Sequence, residues 1–203
     1  MASDCVFCDR KNFEERLIAE TPALYFIATL GQITDGGYTL VVPKRHVPCA
    51  GAMEEKEVAE MEEAMQKASG AIEMEYGIRP VAFEHGIVGQ TIQHAHLHLV
   101  PANIRLAKKI CEDFPEAQIN FLASLEVLRR IYPWEGKKKY LLWSTPEGLL
   151  KAIWDPPAPR QYLRIVAAEL LGRPERANWQ NMDPELDKQL WTETVRRLKP
   201  RFS

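Results

Sequence analysis

Gly89-Gln90-Thr91-Ile92-Gln93-His94-Ala95-His96-Leu97-His98-Leu99-Val100-Pro101 puts three of the chain's five histidines within five residues. The imidazoles alternate with Ala95, Leu97 and Leu99, the period of two that sends successive side chains to opposite faces of a strand. Residues 91–101 therefore predict a strand with one face for packing and His94, His96 and His98 on the other. Histidine occurs elsewhere only at His46 and His85, so a chance run on a solvated face is a poor account. Two chemistries remain: imidazoles ligate transition metals, and a neutral imidazole is a nucleophile near pH 7. Steps of two along a strand separate side chains by about 6 to 7 Å, too far for all three to reach one ion. A division of labour fits better, with an end histidine on a structural metal and the middle one free to attack.

Upstream, Cys5-Val6-Phe7-Cys8 has the spacing of a metal knuckle or of a redox pair, and no strand-motif-helix context of thioredoxin type surrounds it. Zinc in structural sites takes four Cys and His ligands. Cys5 and Cys8 supply two, and His46 and His94 are the candidates for the third and fourth. His46 sits in Lys44-Arg45-His46-Val47, a loop bracketed by Pro43 and Pro48. Cys49 and Cys111 read as ordinary buried or free thiols.

Around these segments, Leu24-Tyr25-Phe26-Ile27-Ala28 and Tyr38-Thr39-Leu40-Val41-Val42 are β-prone runs joined through Thr34-Asp35-Gly36-Gly37, whose glycines accept positive φ. Over residues 53–76, Val58, Met61, Met65, Ala68 and Ile72 recur in steps of three and four with Gly77 as a stop, which predicts a long helix with a packing face. Val81-Ala82-Phe83-Glu84 reads as a further strand. Beyond Pro101 the sequence predicts helices over 119–131, 161–171 and 184–198, a strand over 139–143 and a proline-rich joint over 155–159. Residues 1–105 are expected to form the catalytic unit, and 106–203 a mostly helical extension packed on it. Hydrophobic residues at 46% and charged residues at 27% fit a globular chain rather than a disordered one. No run approaches the ~20 apolar residues of a membrane span, and Met1-Ala2-Ser3-Asp4 lacks a signal-peptide pattern, so a cytoplasmic location is expected. A formal charge of -2 supplies no global attraction to nucleic acid, although a local basic patch stays open.

The block from Gly89 to Pro101 resembles the H-x-H-x-H signature of the histidine triad (HIT) superfamily of nucleotide hydrolases and transferases. The segment Tyr38-Thr39-Leu40-Val41-Val42-Pro43-Lys44-Arg45-His46-Val47 is similar to that family's second block, and Cys5-Val6-Phe7-Cys8 to the zinc-binding opening of its metal-containing members. The resemblance implies an α+β fold with an antiparallel sheet of about five strands and a long helix, paired into a homodimer. It further implies structural zinc, no catalytic metal, and a nucleotide, with purine favoured, as the partner. His96 would attack an α-phosphorus to form a nucleotidyl-histidine, with the carbonyl of His94 holding its other nitrogen, and His98 would donate to a phosphate oxygen. Gly89, Gln90 and Thr91 would approach the phosphates and the leaving group.

The chain departs from the family pattern at several points. Tyr38 stands where many relatives have histidine, and no ribose-pocket asparagine or aspartate is evident around Ala28-Thr29-Leu30-Gly31-Gln32. Phe83-Glu84-His85-Gly86 is similar to a subgroup with F-E-x-G before the triad and a longer C-terminal half. Glu84 or His85 would there face the phosphates or leaving group, or else form a buried hydrogen-bonded pair. Arg160 and Arg164 are either phosphate ligands or exposed helix cations. The function expected is cleavage of a nucleoside-phosphate-X substrate, a dinucleoside polyphosphate or a nucleoside phosphoramidate. The alternatives are a nucleotidyltransferase or phosphorylase of the same superfamily, or a nucleotide- or RNA-binding module without turnover. Transferase relatives carry glutamine at the third triad position, and His98 tilts the reading toward hydrolysis.

Overall fold

Strands covered on both faces read as continuous apolar runs, and the centre of this sheet has that character. The computed structural model describes residues 5–202, so the reading of Met1-Ala2-Ser3-Asp4 lies outside the described residues. In chain order the elements are β1 (Leu17–Glu20), β2 (Leu24–Ala28), β3 (Thr39–Pro43), α1 (Glu55–Tyr76), β4 (Val81–Gly86), β5 (Leu97–Val100), α2 (Leu106–Asp113), β6 (Asn120–Leu122), α3 (Leu125–Ile131), β7 (Tyr140–Ser144), β8 (Leu150–Trp154), α4 (Tyr162–Leu170) and α5 (Pro184–Leu198). Among the described residues eight strands join one antiparallel sheet in the order β1-β2-β3-β5-β4-β7-β8-β6.

Alternate residues divide the core into two layers. On one face Phe26, Val41, Ala82, Leu97, Leu99 and Leu142 pack against Val58, Met61, Ala68 and Ile72 of α1 and Leu125 and Leu128 of α3. On the other, Ile27, Leu40, Val42, Phe83, Leu141 and Trp143 meet Leu106 and Ile110 of α2 and Leu163, Val166 and Ala167 of α4. The helix α1 starts where Glu57 accepts the Glu54 N–H at 2.8 Å and stops at Gly77, whose φ of 69° and N–H to the Glu73 carbonyl close the last turn. Among the described residues no helix is long and apolar enough to cross a membrane.

The α+β class holds, and the strand count differs: the sheet has eight strands rather than about five. The residues after 105 carry helices, but they also donate β6, β7 and β8, and β7 hydrogen-bonds along β4 so that the sheet runs unbroken across that point. The predicted helix over 119–131 is two elements, the short strand β6 and then α3, which Ser124 caps by accepting the Val127 N–H at 3.2 Å. The predicted strand over 91–101 is regular only at Leu97–Val100. Ahead of it the Ala95 N–H turns away to the Val47 carbonyl at 2.7 Å, which takes residues 91–96 out of the ladder.

Glu84 anchors β4 to the loop before α1. It is fully buried, and its carboxylate accepts from the Ala50 N–H at 2.8 Å and from the Tyr140 hydroxyl at 2.7 Å. Burial pushes its carboxyl up to about 7 despite those donors. In the unfolded chain the same group ionises near about 4.3, so between these values the folded state holds the extra proton and folding stability falls as pH rises. In denaturant titrations across about pH 4.5 to 7 the stability of the parent is expected to fall relative to that of Glu84→Gln as pH rises. Parallel curves would show that this carboxyl is ionised alike in both states.

Candidate active site

The register across β3, β5 and β4 sets the site. His98 lies opposite Leu40 on one side and Phe83 on the other, and the Phe83 ring stacks on the imidazole with centroids 4.5 Å apart at 15°. Its Nδ1 meets the Tyr38 hydroxyl at 2.6 Å. His96, just before the regular strand, places Nδ1 2.6 Å from the carbonyl oxygen of His94. A carbonyl only accepts, so Nδ1 carries the proton and Nε2 keeps the lone pair. Burial lowers the basicity of His96 and takes His98 well below the ordinary histidine range, so both rings are neutral. The two rings are 4.9 Å apart.

Both imidazoles line a cleft of about 350 Å³. Gly89, Gln90 and Thr91 form part of its wall, with the Gln90 amide donating to the Pro48 carbonyl at 2.9 Å. Gly89 has φ 74°, and a Cβ there would come within 2.6 Å of the Pro159 carbonyl oxygen; the close docking of this loop on the 155–161 segment needs glycine. His85 also faces the cleft. Its Nε2 accepts the Leu163 N–H from the first turn of α4 at 3.0 Å, which puts its proton on Nδ1, and burial pushes it down to about 3.

Glu84 is not brought to the cleft, which corrects the expectation that it might share a substrate-facing role with His85. Neighbours in a strand point to opposite faces, and Glu84 takes the α1 side, bonded to Ala50 and Tyr140. Arg164 is no exposed helix cation. It is 3% exposed, lines the cleft and donates to the carbonyls of Ala177 at 2.7 Å, Arg176 at 3.2 Å and Gly31. Arg160 lines the same wall. Sequence reasoning did not find Arg16, Phe7, Trp179 or Gln180, all of which face the cleft. Phe7 had a local signal, being enclosed by the cysteine pair; the others are united with the triad only by tertiary packing.

Cys5, Cys8, His46 and His94 converge, with their ligand atoms all within 4.8 Å of one another. The Cys5 sulfur is 3.3 Å and the Cys8 sulfur 3.7 Å from His94 Nδ1, and the Cys8 sulfur is 3.4 Å from His46 Nδ1. Tetrahedral zinc with Zn–S near 2.3 Å and Zn–N near 2.0 to 2.1 Å has ligand-to-ligand edges of about 3.4 to 3.8 Å. His94 donates its Nε2 proton to the Pro43 carbonyl at 2.8 Å, which leaves Nδ1 unprotonated toward the sulfurs. The donor set therefore fits a metal such as zinc. Phe7, inside the knuckle, packs 5.7 Å from the His94 ring and 5.2 Å from the His96 ring, so the cluster and the triad share a wall.

The HIT domain family model matches residues 10–105. An uncharacterised HIT-like protein of Mycoplasma genitalium is 29% identical over 104 residues, covering 49% of this chain and 73% of that protein. Among solved structures, a HIT family protein from Bacillus anthracis is 26% identical, covering 50% of this chain and 74% of that one, with a TM-score of 0.46. A hypothetical histidine triad nucleotide-binding protein from Sulfolobus tokodaii is 25% identical over 48% of this chain and 68% of its own, with a TM-score of 0.43. The three sequence blocks gather around one cleft, and residues 10–105, which include the triad, match the HIT domain.

Proposed function

We propose that this chain is a nucleotidyl hydrolase that cleaves nucleoside-phosphate-X at the α-phosphate, with X a second nucleotide joined through phosphate or an amine. HIT-family proteins are in general nucleotide hydrolases or transferases, and one observation carries the reading further. The His94 carbonyl accepts a hydrogen bond from Nδ1–H of His96, which leaves Nε2 with the lone pair in the ring that lines the cleft.

In the first step that lone pair forms an N–P bond as the P–X bond breaks, and X departs with its bonding electrons and takes a proton from solvent. The ring then carries a positive charge, which the hydrogen bond to the His94 carbonyl steadies. His98 donates to a non-bridging phosphate oxygen, and Arg16, Arg160 and Arg164 supply positive potential around an anionic substrate. Water next attacks phosphorus and releases a proton to solvent, the N–P bond breaks with its electron pair returning to Nε2, and a nucleoside monophosphate leaves with His96 neutral again. Gln90 and Thr91 attend the leaving group, with Gly89 admitting the close approach. Glu84 takes no part.

Transfer to phosphate or a sugar phosphate shares the covalent step, and the presence of His98 favours water as acceptor. Product analysis with added phosphate acceptors separates the two outcomes. Incubation with diadenosine polyphosphates and adenosine phosphoramidates is expected to release AMP, and His96→Ala to lower turnover by roughly 10⁴-fold or more, the scale of removing a nucleophile. Equal turnover by variant and parent would eliminate His96 from that role.

Cys5, Cys8, His46 and His94 would hold structural zinc, which clamps the N-terminal knuckle onto His94 and so onto the carbonyl that orients His96. Metal analysis of the purified protein is expected to find one zinc per chain, and chelation or Cys8→Ser to lower the thermal midpoint. A protein that carries no zinc and takes up none on titration would contradict this assignment.

A further inference from the structure

We propose that Tyr38 and Arg164 form a relay that holds His98 in the tautomer with its proton on Nε2, making Arg164, from the C-terminal half, a positioning residue for that imidazole. The phosphate-binding consequence rests on the function proposed above, whereas the tautomer itself does not.

The Tyr38 hydroxyl and His98 Nδ1 are 2.6 Å apart, and both residues are buried. Either group can donate in isolation, so the direction of the proton has to come from what surrounds the pair. The Arg164 guanidinium lies over the Tyr38 ring, 5.4 Å from its centroid, and its positive charge bears on the hydroxyl. A guanidinium has donors and no acceptor. Its positive charge makes the phenol oxygen a poorer acceptor and the O–H a stronger donor, so the hydroxyl proton points at Nδ1. Burial pushes the phenol up to about 12, so that proton is present throughout the working pH range.

With Nδ1 accepting, the His98 proton sits on Nε2. That nitrogen is buried and has no hydrogen-bond partner among the described residues, in a ring that lines the cleft beside His96. Phe83 stacked on the other side prevents the ring from tilting away. Arg164 is itself held in place by its donations to the Gly31, Arg176 and Ala177 carbonyls. One side chain from α4 thus links the segment before β3, the turn that carries Trp179, and the last imidazole of the triad. His85, whose Nε2 is held by the Leu163 N–H, ties the same helix to the neighbouring strand.

The test is ¹⁵N NMR of the histidine ring nitrogens in the full chain, with His98 assigned from the signals lost in His98→Asn. The parent is expected to show a protonated-type Nε2 and an unprotonated-type Nδ1 at His98. Tyr38→Phe should move both signals toward values averaged over two tautomers, and lower kcat by about 10²-fold, the scale of losing one aligned donor. Its KM should stay within about threefold of the parent, because the relay acts on transition-state charge rather than on uniform binding. Tyr38→His, which keeps a ring N–H at that position, should recover most of the rate. Arg164→Gln should shift the His98 signals in the same direction, with Arg164→Lys less affected. A parent spectrum with the proton on Nδ1 overturns the relay, even if the variants fail to fold. His98 signals unchanged in a folded Tyr38→Phe protein overturn it equally, and signals unchanged in Arg164→Gln remove Arg164 from it. A parent that turns over no nucleotide defeats the proposed function, and the spectrum still decides the relay.

Discussion

The hydrogen bond between the His94 carbonyl and His96 Nδ1, 2.6 Å long, is the constraint on which the site depends. A carbonyl oxygen has lone pairs and no proton, so the contact admits a single tautomer of His96 and leaves one reactive nitrogen. The ring of His94 points the other way, into the cluster with Cys5, Cys8 and His46, and is tethered by its Nε2 proton to the Pro43 carbonyl. One residue therefore serves two sites: its side chain belongs to the metal-type cluster and its backbone to the triad.

The rest of the fold supports that geometry. The strands β3 and β4 flank β5, and burial on both sheet faces keeps the imidazoles neutral. The residues after 105 act at two levels. Their strands continue the sheet from β4, and helix α4 with the turn before it brings Arg160, Gln161 and Arg164 to the cleft. The likeness to known HIT proteins spans about half of the chain, whereas the cleft draws on both halves.

Where chemistry and packing are local, the sequence was legible. The helix α1 was readable because Val58, Met61, Ala68 and Ile72 keep one face over several turns and Gly77 ends it. The strand β7 was readable from an apolar run, while β6 has three residues, too few for a period to declare itself, and lies against a helical pattern. The triad and the Cys-His set stood out because histidine is rare and the spacings are short. At Glu84 and His85 strand alternation decides between neighbours: adjacent strand residues take opposite faces, and His85 is the one that reaches the cleft. Trp179 left no local signal and the two readings of Arg164 stayed open, because their place is set only when α4 and the turn after it fold back over the segment around Gly31.

Mass spectrometry of the protein quenched during turnover of a nucleotide substrate is the most direct measurement of the central claim. A single nucleotidyl adduct on the His96 imidazole, absent from His96→Ala, is the result this account predicts. An adduct on another residue, or AMP release under single-turnover conditions with no adduct at any quench time, would contradict it.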